Sequence, residues 1–80
     1  MRTIYKRIYL FIAKDEQDLE SITTRQCIQF NMVKIVINDE ITIGSIRMAL
    51  ESECHLNTTY HEIKILGEFT DAIQVGIYDR

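Results

Sequence analysis

The chain has 80 residues, of which 46% are hydrophobic and 26% are charged, and its formal net charge is −3 at pH 7. This length allows one domain with one core, and the composition excludes wholesale disorder. The acidic balance argues against binding nucleic acid by bulk electrostatics. No apolar stretch approaches the roughly 18 residues of a membrane span, so we expect a cytoplasmic protein without a membrane partner.

The cysteines and histidines do not form a recognisable chemical site. Cys27 and Cys54 belong to no CxxC pair, and Cys54 is adjacent to His55, whereas zinc ligands usually come as closely spaced pairs. A Cys54–His61 nucleophile pair lacks the glycine-rich turn that would accompany an oxyanion hole. Glycine-rich nucleotide motifs and an EF-hand calcium loop are missing from the sequence as well. We therefore expect a non-enzymatic protein with no cofactor and no metal, whose two cysteines are reduced thiols.

Residues 3–13 are predicted to form a strand. Ile, Tyr and Phe dominate this segment, and Ile8, Leu10 and Ile12 alternate with other residues, although one helical face can also be drawn through it. On a strand, four side chains share the opposite face: Tyr5, Arg7, Tyr9 and Phe11. Such interleaving of aromatic and cationic residues is typical of single-stranded nucleic-acid platforms. The interpretation that we prefer is an amphipathic edge strand. Because an open edge invites a second strand, it predicts a possible homodimer through the N-terminal strand.

The next two segments are predicted to be an acidic turn or helix start and then a helix. Four acidic residues close together favour a solvated turn or the start of a helix: Asp15, Glu16, Asp18 and Glu20. In residues 24–38 the spacing of Ile28, Met32, Ile35 and Val36 is helical. The same residues also alternate like a strand on either side of a phase slip, which a strand would absorb with a bulge. Because only the strand would need this bulge, the phase slip favours the helix.

The middle of the chain gives a clearer signal. Residues 40–43 alternate like a short strand and lead into Ile46, Ala49 and Leu50, which have the spacing of a helix. Thr42 is the predicted N-cap of that helix, because its hydroxyl can accept a hydrogen bond from a free N–H of the first turn. Arg47 and Glu51 are predicted to lie on its outer face.

The segment 59–66 can be read in two ways. Thr59 and Glu62 have the spacing of a capping box, and Gly67 can end a helix in the left-handed conformation. The alternative is a strand in which Ile63 and Ile65 pair with residues 73–78, across a turn at residues 70–71. We prefer the helix, because Thr-Asp is a poor two-residue hairpin turn.

The resulting order of elements resembles that of a winged helix-turn-helix domain over residues 24–78. The residues that carry the resemblance are the run 41–43 leading into 46–50, the run 56–60, and the strand 73–75 as a wing. The resemblance implies an α+β fold in one domain over residues 1–80, a DNA-binding transcription regulator, and a third helix that reads the major groove. By position in that helix, Asn57, Thr58, His61 and Lys64 would face bases, and Arg47 would contact a phosphate.

The acidity of this segment departs from the family pattern and leaves a second function open. Lys64 stands with Glu62 and Glu68, and carboxylates repel the phosphate backbone. The alternative function is a protein-binding inhibitor or adaptor, of a kind that a virus or mobile element could encode. The alternative fold is an antiparallel sheet with one or two helices and a C-terminal hairpin, on which the DNA-contact residues would lose their rationale.

Overall fold

The computed structural model describes residues 1–21 and 27–80, which form four strands and two helices. The elements are, in chain order, β1 (Arg2–Ala13), α1 (Glu16–Ser21), β2 (Cys27–Ile37), α2 (Ile43–Ser52), β3 (His61–Glu68) and β4 (Ala72–Asp79). In the part of the chain that is described, neither helix has the length and apolarity needed to cross a bilayer.

The four strands form one mixed sheet in the order β2-β1-β4-β3. β1 is antiparallel to β2 and parallel to β4, and β3 and β4 form an antiparallel hairpin. This architecture confirms the α+β class, and it contains the C-terminal hairpin of the alternative fold.

The N-terminal strand is confirmed, but it is not an edge strand. β1 pairs with β2 from Arg2 to Phe11 and with β4 from Arg7 to Ala13. From Arg7 to Phe11 its backbone groups therefore have partners on both sides, so over this stretch there is no open edge to support the homodimer predicted through β1. The edges of the sheet are β2 and β3.

The main core lies between the sheet and α2. Ile46, Ala49 and Leu50 face the sheet from the helix and are at most 3% exposed. They belong to one cluster with alternating residues of all four strands: Ile8, Leu10, Val33, Ile35, Ile37, Ile63, Ile73, Val75 and Ile77. The period of two in the strands and the helical spacing in α2 thus bring their apolar faces together.

The short helix α1 covers part of the opposite face of the sheet. Its Leu19 is 4% exposed and packs with Phe11 and Ala13 of β1. Leu19 also lies directly over Gly76 of β4, where a Cβ atom would come within 2.5 Å of a leucine methyl carbon. The predicted acidic turn or helix start is confirmed, since Glu16 and Asp18 lie in the first turn of α1.

The predicted helix over residues 24–38 is wrong where the structure describes it, because residues 27–37 are strand β2. The phase slip in the sequence corresponds to a β-bulge at Met32, where φ is 53°. The bulge adds one residue to β2 and so shifts its pairing with β1 between Lys6 and Ile8. After the bulge Val33 and the alternate residues beyond it are buried, whereas Met32 is 75% exposed. Residues 24–26 of this prediction lie outside the described residues.

The predicted helix over residues 59–66 is also wrong. Residues 61–68 form β3, in which Ile63 pairs with Ile77 and Ile65 with Val75. Burial of these side chains against β4 outweighs the local capping pattern, so Thr59 and Glu62 form no helix cap. Because this segment was the third helix of the resemblance, the winged-helix prediction is not confirmed.

The N-terminus of α2 is formed as predicted, but the strand proposed before it is not. Thr42 Oγ1 accepts a hydrogen bond from Ser45 N at 3.2 Å, and Thr42 N donates to Ser45 Oγ at 2.8 Å. This reciprocal capping starts the helix at Ile43, so residues 40–42 are not a strand.

Candidate functional site

The residues predicted to contact DNA are largely engaged in contacts within the protein. Arg47 is half-buried, and its guanidinium donates to Thr58 O at 2.6 Å and to His61 O at 3.2 Å. Thr58 is fully buried, and its hydroxyl donates to Glu51 Oε1 at 3.2 Å. Glu51 is exposed as predicted, whereas Arg47 is not on a solvated outer face. Both side chains hold the loop between α2 and β3 against the helix.

The other three residues have structural contacts of their own. Asn57 Oδ1 accepts a hydrogen bond from Thr59 N at 3.0 Å, which makes a local turn. His61 Nε2 lies 3.2 Å from Asp79 Oδ1, and Lys64 Nζ lies 3.7 Å from Glu16 Oε2. With no helix at residues 59–66 to enter a groove, these five positions have no common reading surface, and DNA binding stays a prediction without a site.

Cys54 has the properties of a structural thiol. Burial, and secondly the charge of Glu53, raises the pKa of Cys54 above its ordinary value. A raised pKa keeps the sulfur protonated at neutral pH, whereas a nucleophile or a metal ligand needs the thiolate. In residues 1–21 and 27–80, no three His, Cys, Asp or Glu side chains are grouped to hold a metal ion.

The outer side of β2 is an open edge of the sheet. β2 pairs with β1 on one side, and no described strand lies on its other side. In an edge strand, alternate N–H and C=O groups point away from the sheet and can pair with another chain. Beyond the bulge at Met32, residues 33–37 are regularly paired with β1, so this part of the edge is straight enough to accept a strand.

A groove of about 690 Å³ runs between this edge and α2. Lys34, Val36 and Ile37 line it from β2, and Ser45, Met48 and Glu53 are among the residues that line it from the helix. Met48 is 69% exposed and Val36 is 43% exposed, so apolar side chains border the open backbone edge. We call this feature the β2–α2 groove.

The charges around the β2–α2 groove are mostly negative. Asp39, Glu40 and Glu53 line it and are exposed, and they outnumber the lysine of β2. Exposed carboxylates that are not satisfied by internal partners favour a cationic ligand and steer it by long-range attraction.

None of the residues of this groove was predicted as a site residue. Met48 and Glu53 are surface positions of an amphipathic helix, and Val36 had been assigned to the apolar side of a helix. Their common location depends on β2 being the edge strand next to α2, and this pairing leaves no signal in local spacing. The one indication in the sequence was Met48, an apolar residue that lies outside the apolar face of the predicted helix.

No family model, curated protein or solved structure matches this chain.

Proposed function

We propose that the chain is a non-enzymatic protein-binding domain that takes up an extended segment of a partner protein along β2. The observation that carries the proposal is the open backbone edge of residues 33–37 beside the β2–α2 groove. Main-chain hydrogen bonds from such an edge supply affinity, and side-chain pockets next to it supply specificity. This corresponds to the protein-binding alternative that the acidic composition left open.

β2 is better suited to strand addition than β3, the other edge. β3 carries Glu62, Lys64 and Glu68 as exposed charged residues, and charged side chains protect an edge from pairing. Residues 33–37 contain one charged residue, Lys34, and Val36 next to it is exposed and apolar. The groove along the β2 edge also gives alternate side chains of the added strand a place to bury.

The partner that fits best is an extended segment with alternating apolar residues and at least one lysine or arginine. Met48 can pack against the apolar side chains that face α2, and Asp39, Glu40 and Glu53 can pair with the cation. A second copy of this chain fits less well, because antiparallel pairing of two β2 strands would bring two sets of these carboxylates near each other, and each set would come with only one lysine, Lys34.

Selection of a displayed peptide library against the full chain, followed by NMR mapping of the best peptide, tests the proposal. We expect amide shift changes and slower hydrogen exchange at residues 33–37, together with shift changes along α2. Met48→Lys is expected to weaken binding at least about fivefold, because it replaces apolar contact with a repelling cation. Tyr60→Lys is the matched control, since Tyr60 is 77% exposed outside the groove and should leave the affinity unchanged.

Three outcomes would overturn the proposal: the library yields no binding peptide, the shift changes centre on β3, or the two lysine variants weaken binding equally. Analytical sedimentation of the chain without peptide tests whether a second copy of the chain occupies the groove. A concentration-dependent dimer that Met48→Lys disrupts would make a second copy the occupant and contradict a basic partner.

A further inference from the structure

We infer that the half of the sheet face not covered by α1 is a second binding surface, which takes single-stranded nucleic acid. The surface lies on the side of the sheet opposite α2, and of the residues named for the β2–α2 groove it shares only Lys34, at the β2 edge. It is made by Tyr5, Arg7 and Tyr9 of β1, Lys34 of β2, Gln74 of β4, and Phe69 from the β3–β4 turn. We call it the open half-face.

Strand pairing brings these side chains to one side of the sheet. Tyr5 is the cross-strand partner of Lys34, and Tyr9 is the partner of Gln74. Residues two apart on a strand share a face and are about 6.7 Å apart, so the three β1 residues make a row of ring, cation and ring. α2 packs on the other side of the sheet, and Leu19 of α1 covers the far end of the row.

Phe69 joins this row from the side. A Cβ atom at Gly67 would lie 2.9 Å from Gln74 Oε1 and 3.1 Å from Phe69 Cε2, so the ring and the amide both lie over this glycine. Gly67 is the strand partner of Gln74. The absence of a side chain at Gly67 therefore leaves room for the Phe69 ring to lie against the sheet.

The rings of the open half-face are available to stack with bases. Tyr5 is 56% exposed and Phe69 is 54% exposed, and Tyr9 is half-buried between them and the cluster under α1. Aromatic side chains on a sheet are the usual stacking platforms for unpaired bases, and they tolerate any base because each base has a π-face. Phe11, the fourth aromatic residue of this strand, is 5% exposed beneath α1 and does not take part.

The charge of the open half-face is complementary to phosphate. Arg7 and Lys34 are its two cations. Asp71 approaches Arg7 from the turn, but its Oδ2 lies 3.9 Å from Nη1, which is a weak exposed pair. Arg7 Nε is buried and has no hydrogen-bond partner among the described residues, whereas the side chain as a whole is 41% exposed, so a phosphate can reach the terminal nitrogens of the guanidinium. This local excess of positive charge contrasts with the acidic rim of the β2–α2 groove.

Fluorescence anisotropy of a labelled oligothymidylate of about 12 nucleotides, with the full chain in excess, tests the inference. Tyr5→Ala is expected to weaken binding at least about fivefold, the lower limit of what one stacked base contributes. Tyr5→Phe, which keeps the ring, is expected to retain wild-type affinity. Tyr60→Ala is the matched control, because it removes an exposed tyrosine from outside the surface.

The salt dependence provides a second readout. Two phosphate contacts on a single strand predict a slope of log K against log salt of about −1.4, and Arg7→Gln should reduce it to about −0.7. Lys14→Gln removes an exposed cation elsewhere and should leave the slope unchanged. A blunt duplex of the same length should bind more weakly, because its bases cannot stack on the rings.

Absence of oligothymidylate binding at low salt would overturn the inference, and so would equal losses in Tyr5→Ala and Tyr60→Ala. Tighter binding of the duplex would also overturn it and would favour a double-stranded site instead. The peptide experiment separates this failure from that of the proposed function, since Tyr5→Ala should leave peptide binding intact and Met48→Lys should leave oligothymidylate binding intact.

Discussion

Replacement of Gly76 by alanine is expected to destabilise the protein by displacing α1 from the sheet. A Cβ atom at this position would lie 2.5 and 2.7 Å from the two methyl carbons of Leu19 and 3.1 Å from its Cγ. Carbon atoms do not approach so closely, so the Leu19 side chain must shift, and because it is only 4% exposed we expect the shift to loosen its packing against the sheet. No glycine in the described residues has a positive φ, so close approach, not backbone conformation, explains the glycine here.

The size of the effect follows from two opposing contributions. Exposing a buried leucine costs about 1.5–3 kcal/mol, and alanine in a strand gains roughly 0.5–1 kcal/mol over glycine. The net loss in the free energy of unfolding is therefore about 1.5 kcal/mol. For a domain of this size it corresponds to a decrease in Tm of about 6–12 °C.

Urea unfolding of a double-mutant cycle with Leu19→Ala measures this directly. When Leu19 is already alanine the clash is gone, so Gly76→Ala should then stabilise the protein by about 0.5–1 kcal/mol. Gly67→Ala is the control, because the atoms near its Cβ are the ends of the Gln74 and Phe69 side chains, which can rotate away. Equal effects of Gly76→Ala in the two backgrounds would refute the contact between Leu19 and the sheet.

Two further predictions concern the loop after α2 and the alkaline limit of stability. Arg47→Met should lower the free energy of unfolding by about 2 kcal/mol in a urea titration, because it removes charged hydrogen bonds to the carbonyl oxygens of Thr58 and His61; an unchanged midpoint would contradict this role. Partial desolvation, and then the charges of Glu16 and Glu62, raise the pKa of Tyr78 above its ordinary 10.0. Above pH 10 the unfolded chain loses this proton first, so stability present at lower pH is lost as pH rises. Unfolding titrations between about pH 9 and 11 should show a smaller loss for Tyr78→Phe, and identical curves would refute the assignment.

The sequence was sufficient for the elements whose local and tertiary preferences agree. In β1 and β4, alternate apolar residues are buried in the main core, Ile8 and Leu10 in β1 and Ile73, Val75 and Ile77 in β4. In α2 the N-cap at Thr42 coincides with a helical apolar face. These three elements were predicted with nearly correct bounds, because the pattern that fits the local conformation is the pattern that packs into the core.

β2 and β3 could not be assigned because their local patterns fit two structures. In β2, the sequence spacing places Met32 and Val36 on the apolar face of a helix, but in the sheet they are 75% and 43% exposed. The decisive information was the phase slip, which the bulge at Met32 absorbs. In β3, the strand conformation depends on the pairing of Ile63 with Ile77 and of Ile65 with Val75. Such non-local pairing cannot be recognised from the spacing of neighbouring residues.

The candidate sites were missed for a related reason. The groove needs β2 at an edge beside α2, and the open half-face needs β1 in the centre of the sheet with Phe69 folded back over Gly67. The sequence did indicate that Tyr5, Arg7 and Tyr9 share a face, since this follows from strand geometry alone. It could not indicate that α1 would bury Phe11, or that Lys34 would lie beside Tyr5.

The distribution of charge also limits what the net charge of −3 can exclude. The net charge determines only the average electrostatic potential around the molecule, and on that basis nucleic acid is a poor partner. The fold distributes the charges unevenly, however: Asp39, Glu40 and Glu53 line the β2–α2 groove, Arg7 lies on the open half-face, and Lys34 borders both surfaces. At physiological salt, exposed charges more than about 8 Å apart are largely screened from each other, so each surface acts on its ligand mainly through its own charges. Lowering the salt should therefore strengthen oligonucleotide binding by less than two phosphate contacts alone would give, because the acidic rim would then begin to repel an oligonucleotide bound on the other side of the sheet.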